Sequence, residues 1–158
     1  MFKLGKLTDY GTVLMTSLAG EPARVQTAQE LAAATHVALP TVAKLLKLLA
    51  KAELVESHRG AHGGYRLARK PDEISVADIV CALEGPIALT ECSIHEGCGI
   101  ESHCGVRSHW RLINDAIRTA LDSVSLAQMS LPLNPQLKAR GGANHSVPIF
   151  FSPPSPRA

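Results

Sequence analysis

The sequence predicts a mainly α-helical chain that carries one small β-hairpin and ends in a long helix. Three observations predict it. Two short helical stretches, Thr27–Thr35 and Pro40–Ala52, are separated by a tight turn, and the second has one apolar and one cationic face. A glycine-rich turn carrying an arginine joins two short strand-like stretches directly afterwards. From Ser108 to Val124, apolar residues recur at spacings of three and four.

At 158 residues, the chain suits one compact domain with appendages, and 46% hydrophobic residues with a mean hydropathy of +0.08 argue for a globular protein. The net charge of +2 hides an uneven distribution. Residues 1–70 hold ten Lys/Arg against five Asp/Glu, whereas residues 71–106 hold seven acids and no Lys or Arg. A basic N-terminal half is what a phosphate backbone attracts. No apolar run approaches the roughly 18–20 residues of a membrane-spanning helix, and the N-terminus lacks a signal peptide's apolar core. These features predict a cytoplasmic protein with no membrane partner. Its four cysteines there point to metal or redox chemistry rather than a disulfide framework.

Taken in order, Leu7, Val13, Leu14, Met15 and Leu18 mark a first helix, with Thr8 as its expected N-cap and Asp9 in its first turn. Gly20, Glu21 and Pro22 end it. Thr27 and Glu30 form a capping box, in which the hydroxyl accepts from the N3 amide and the carboxylate reaches back. After the turn 36–39, Pro40 stands where a first helical residue tolerates it. In the following helix, Val42, Leu45, Leu46 and Leu49 share one face, while Thr41, Lys44, Lys47 and Lys51 cluster opposite. An ordinary surface helix also shows a solvated lysine face. The next stretch shifts the balance: Leu54–Tyr65 (LVESHRGAHGGY) continues into Arg66 and Leu67 as a hairpin with Arg59 at its tip. Helix, turn, cationic helix and basic-tipped hairpin make a winged helix-turn-helix, with the second helix in a major groove and Arg59 placed for a minor groove.

Ser75 and Asp78 cap the next helix, which carries Val76, Ile79, Val80 and Leu83 on one side and Cys81 as an expected small buried residue. Gly85 and Pro86 end it. The long helix with Trp110, Ile113, Ile117, Leu121 and Val124 has no evident later element to cover its stripe, so pairing with a second copy is expected. The chain thus divides into a winged helix-turn-helix domain (1–84), a cysteine-rich loop (85–107), a dimerisation helix (108–130) and a Pro/Gly/Ser-rich tail (131–158) expected to be disordered.

Within the loop, Cys92, Cys98 and Cys104 are spaced evenly by six among glycines, with His95, His103 and His109 nearby. Three thiolates suit an iron–sulfur cluster, zinc or copper(I). Structural zinc usually shows tight Cys-x2–4-Cys pairs, whereas a 2Fe–2S cluster spreads its ligands over two irons and needs a fourth donor. A 2Fe–2S cluster therefore ranks ahead of zinc, and a metal-free thiol switch ranks third. A cysteine hydrolase built on Cys104, His103 and His109 ranks far behind: consecutive His and Cys on a loop rarely face each other, and no Gly-rich cofactor loop follows a strand. No enzyme is expected.

Residues Leu4–Tyr10 (LGKLTDY), Leu54–Tyr65 and the Cys92/Cys98/Cys104 spacing followed by Trp110 resemble winged-helix iron–sulfur regulators of the IscR/NsrR type, in particular those controlling the SUF cluster-assembly operon. The resemblance covers residues 1–130. It implies a homodimeric transcription factor on a double-stranded DNA operator, with Arg59 and the start of the helix at Pro40 touching DNA. It also implies a cluster on the three cysteines whose state alters operator affinity. IscR-like members carry a histidine three positions after the last cysteine, where this chain has Arg107. NsrR-like members use an N-terminal aspartate, and Asp9 occupies that place. Asp9 is therefore the first choice of fourth ligand, with His109 and then His103 behind it. Ala43 stands where IscR carries an acidic residue used in site discrimination, so the operator sequence is not transferable.

Overall fold

The computed structural model describes residues 4–60, 62–90 and 103–131. Cys92, Cys98, His95 and the tail beyond Leu131 lie outside them. Among the described residues, six helices and one hairpin follow in the order α1 (Lys6–Gly20), α2 (Ala28–Thr35), α3 (Leu39–Lys51), β1 (Val55–His58), β2 (Gly64–Leu67), α4 (Val76–Glu84), α5 (Arg107–Asp122) and α6 (Leu126–Ser130), with a 3-10 turn at Pro71–Glu73 before α4.

Local signals set several of these boundaries. The Thr27 hydroxyl accepts from the Glu30 amide at 3.2 Å, while the Glu30 carboxylate takes the Thr27 amide at 2.7 Å. Ser75 and Asp78 make the same reciprocal pair at the start of α4. Pro40 lies in the first turn of α3, where its missing amide costs nothing. Between α2 and α3 the chain turns through 116°, with His36 in a left-handed conformation (φ 58°) closing α2. Burial confirms the face division of α3: Val42, Leu45, Leu46 and Leu49 have no solvent exposure, and Lys44, Lys47 and Lys51 are exposed.

The hairpin is antiparallel, pairing Val55 with Leu67 and His58 with Gly64. A third segment joins it. Gln26, just before α2, exchanges both backbone hydrogen bonds with Tyr65, at 2.9 and 2.8 Å. Only glycine permits this approach at the neighbouring position, because a Cβ on Gly64 would lie 2.6 Å from the Gln26 carbonyl oxygen. One apolar core runs through Leu14, Met15, Leu18, Leu31, Leu45, Leu46, Leu49, Leu54, Ile74, Ile79 and Leu126. Each such fully buried side chain contributes about 1.5–3 kcal/mol of transfer free energy.

Three expectations change. Helix α1 begins at Lys6 with Gly5 as its N-cap, and Thr8 is instead a buried residue of the first turn. Its hydroxyl, together with the Gly5 amide (2.6 Å), donates to the Glu84 carboxylate at the end of α4. Cys81 is exposed rather than buried. The segment 108–130 is not one helix: α5 stops at Asp122, and Ser125 opens α6 with a capping box to Gln128. Helix α6 folds back onto α1 and buries Leu126 completely, while Trp110 and Ile113 of the α5 stripe stay exposed. The junction is stitched to the start of α4. The Leu126 amide donates to the Ile74 carbonyl at 2.8 Å, and the Val76 amide to the Val124 carbonyl at 2.9 Å.

Among the described residues, no single helix is long and apolar enough to cross a membrane.

Candidate nucleic-acid interface and metal-binding stretch

The core-facing leucines of α3 fix its opposite face outward. Lys44, Lys47 and Lys51 stand there, spaced by three and four, with Thr41 half-buried at the start. Among the described residues, none of these lysines, nor Arg59, forms an ion pair, so four cations remain available to an external anion. Arg59 is exposed at the hairpin tip beside Gly60, whose φ of +116° suits glycine.

The hairpin's own charges are settled internally. Arg66 hydrogen-bonds Glu56 across the strands, and His58 Nε2 lies 3.2 Å from the same carboxylate. The Arg66 hydrogen bond foremost, and then that of His58, holds the Glu56 carboxyl below its ordinary range. Glu56 is thereby matched within the hairpin and leaves the tip cationic.

Asp9, the expected fourth metal ligand, is exposed on the first turn of α1. It lines a groove with Tyr10, Val13, His36, Val37 and Thr41, so it sits against the helix-turn-helix turn and the start of α3. Position 104 closes the other candidate region. Cys104 is a half-buried free thiol just before α5, and its carbonyl accepts from the Arg107 amide at 3.5 Å. Arg107 is the first residue of α5, and His109 follows on its first turn, exposed, as is His103. Among the described residues, no three His, Cys, Asp or Glu side chains converge as a metal site. Cys92 and Cys98 lie outside them. The donor chemistry nevertheless suits the expected group: soft thiolates, one of them a free thiol at a helix start, with a carboxylate or imidazole to complete four.

Three contributors escaped the sequence reading. Glu84 ties the start of α1, and with it Asp9, to the end of α4. Gln26 completes the hairpin sheet. Asn114, buried on α5, accepts the Leu89 amide at 3.2 Å. All three depend on partners distant in the chain. Only the polar interruption of the α5 stripe at Asn114 was a visible sign.

The pattern of the Rrf2 family, described as an iron-dependent transcriptional regulator, matches residues 4–131. The chain belongs to the Rrf2 family of transcriptional regulators. Its Rrf2 relatives include IscR of Aliivibrio salmonicida (strain LFI1238), 37% identical over 93 residues. That match covers 59% of this chain and 55% of the relative, about half the relative's length. CymR of Bacillus subtilis (strain 168) is 34% identical over 129 residues, covering 81% of this chain and 89% of the relative. These relatives are named as transcriptional regulators, not enzymes. Two solved structures share the winged-helix fold. That of CymR, the global cysteine regulator of B. subtilis, has a TM-score of 0.65 at 32% identity, covering 82% of this chain and 97% of that one. T. potens IscR has a TM-score of 0.61 at 30% identity, covering 90% of this chain and 93% of that one.

Proposed function

We propose that this Rrf2-family chain binds a double-stranded DNA operator as a cytoplasmic homodimer and senses iron–sulfur cluster status through a 2Fe–2S cluster. The genes it controls are those of cluster assembly. The observation that carries the proposal is the groove in which Asp9 meets the helix-turn-helix turn and Thr41. Occupancy at Asp9 would then act directly on the start of the recognition helix.

In this reading, Lys44, Lys47 and Lys51 contact phosphates and fix register, while Thr41 and Arg59 reach into the grooves. Cys92, Cys98 and Cys104 hold the cluster, and Asp9 is the fourth ligand, ahead of His109 and His103. When bound, the cluster supplies a redox-responsive centre that ties the cysteine stretch to α1. Glu84 keeps α1 in register by holding Gly5 and Thr8, so Asp9 stays against the turn. A ligand shifts DNA affinity only by its differential interaction with two arrangements, typically about 1–3 kcal/mol. Loss of the cluster is therefore expected to change operator affinity by about 5–150-fold.

The test begins with visible absorption and iron and sulfide content of anaerobically purified protein. A DNA titration of holo and apo forms at several salt concentrations follows. Equal holo and apo affinities would defeat the switch but leave DNA binding intact. A colourless protein holding one zinc per chain would replace the cluster with zinc. A thiol-based regulator without a cluster is the second reading. It is supported by the likeness to CymR, named the global cysteine regulator of B. subtilis, which spans 97% of that chain.

A further inference from the structure

The hairpin, the wing of the fold, carries a second basic group one residue before its tip arginine. Strand alternation turns the buried Val55 and Leu67 to the core and sets Glu56, His58 and Arg66 on the opposite face. His58 is the last paired residue before the tip, and its partner across the ladder is Gly64, which has no side chain to cover it. The imidazole is 38% exposed, and its Nε2 lies 3.2 Å from Glu56 Oε1. Arg66 donates to that same oxygen. A carboxylate held in its charged form only accepts, so Nε2 carries a hydrogen and Nδ1 is the nitrogen left to take up a proton.

The balance of charge decides what that proton does. Arg66 already offsets Glu56, so the group is neutral while His58 is neutral and gains a full positive charge when His58 is protonated. That charge stands next to Arg59, which among the described residues forms no ion pair. The other titratable groups on this side do not cancel it. His62 follows in the turn, and Lys70 and Glu73, which line one groove with Glu56 and Arg66, are opposite in sign. We propose that His58 is a second wing contact for DNA, engaging a phosphate beside the groove entered by Arg59 and doing so in its protonated form. This inference rests on the DNA-binding reading above and not on the metal site. Imidazole is the side chain whose charge changes between about pH 5 and 8, and a nearby phosphate favours the charged form. Binding therefore takes up a proton from solvent at each wing. Arg59 alone gives a grip that is constant over this range; His58 makes it graded.

The experiment titrates the full chain, kept anaerobic, onto a mixed-sequence DNA duplex at about pH 6 and about pH 8 and at several salt concentrations. A phosphate contact is independent of sequence, so the operator itself is not needed. Wild-type affinity should be higher at the lower pH, by about two- to fivefold per wing, as for an exposed charge contact. The slope of log affinity on log salt should also steepen there by about one per wing. His58→Gln keeps a neutral hydrogen-bonding side chain beside Glu56 and should lose both changes, behaving throughout as the wild type does at the higher pH. His58→Arg should show the steeper slope at both pH values. A wing that needs residue 58 only for its shape would bind weakly in both variants at both pH values, which overturns the inference. His36 lines the groove with Thr41 and is the rival titrating group at the interface. His36→Asn, which tolerates that residue's left-handed backbone, and His62→Gln should keep the pH response. A wild-type response in His58→Gln, or none in the wild type, overturns the role of His58 and leaves DNA binding standing. A wild-type chain that binds no duplex at either pH overturns the DNA-binding reading with it.

Discussion

Two glycines show how single residues set the approach of elements. A Cβ on Gly64 would meet the Gln26 backbone at 2.6 Å, and backbone held in a sheet cannot yield cheaply. A Cβ on the buried Gly11 of α1 would come within 2.2 Å of Leu83 Cδ1, the end of a side chain that can rotate away. Gly64→Ala is therefore expected to destabilise by about 1–3 kcal/mol, as overpacking does. Gly11→Ala should cost less, because a gain of about 1 kcal/mol in helix propensity offsets part of the clash. Urea melts of the two variants would show that ordering; a reversed order would contradict it. Among the described residues, two carboxylates carry the pH signal. Glu30 is held below its ordinary range by the Thr27 amide first and the Thr27 hydroxyl second, and Glu56 by Arg66 first and His58 second. Depressed folded-state values mean that both contributions are present above the unfolded glutamate pKa, about 4.3, and vanish as pH falls through the folded values. Arg66→Ala should move the Glu56 titration, followed by NMR, up toward its ordinary range while leaving Glu30 unchanged. Thr27→Ala should raise Glu30 and cost about 1 kcal/mol of cap stability.

At the scale of elements, α6 is the piece that changes the architecture. Leu126 is fully buried in the same core as Leu14 and Leu46, so the C-terminal turn belongs to the folding unit of the N-terminal helices. Leu126→Ala is expected to cost about 2–5 kcal/mol in a single cooperative urea transition. A loss below about 0.5 kcal/mol, or a separate early transition, would place α6 outside the core. Why the sequence hid this is a matter of range. Capping boxes at Thr27 and Ser75 were legible because each signal lies within four residues of its effect. The two faces of α3 were legible because helical periodicity needs only one helix. Ser125 and Gln128 offer the same local box, but the apolar rhythm running through Leu121 and Val124 overrode it. The Gln26 bridge to Tyr65, the Glu84 bonds to Gly5 and Thr8, and the Leu89 bond to Asn114 join residues tens of positions apart, which no local pattern encodes. The exposure of Cys81 has the same origin, because a helix's apolar neighbours do not say which flank its packing covers.

For the whole molecule, charge and the exposed apolar face of α5 are the features on which the proposed operator binding depends. Trp110 and Ile113 are 39% and 43% exposed, part of an apolar strip along a helix that also packs on α4. A second copy covering that strip would set two α3 helices against successive major grooves, which a two-fold operator requires. If each protomer places Lys44, Lys47 and Lys51 on phosphates, the dimer neutralises about six, and log affinity should fall against log salt with a slope of about −5. Lys47→Ala should reduce that slope by about two, because it removes one contact from each protomer, and should weaken binding alike on all sequences. Arg59→Ala should instead relax sequence preference by about 1–3 kcal/mol at the contacted step. Ile113→Glu places a charge on the exposed strip, where the monomer tolerates it and a dimer interface does not. Sedimentation should then report one chain, and the salt slope should drop to about half the dimer value. A variant that stays dimeric with an unchanged slope would show that the pairing uses another face.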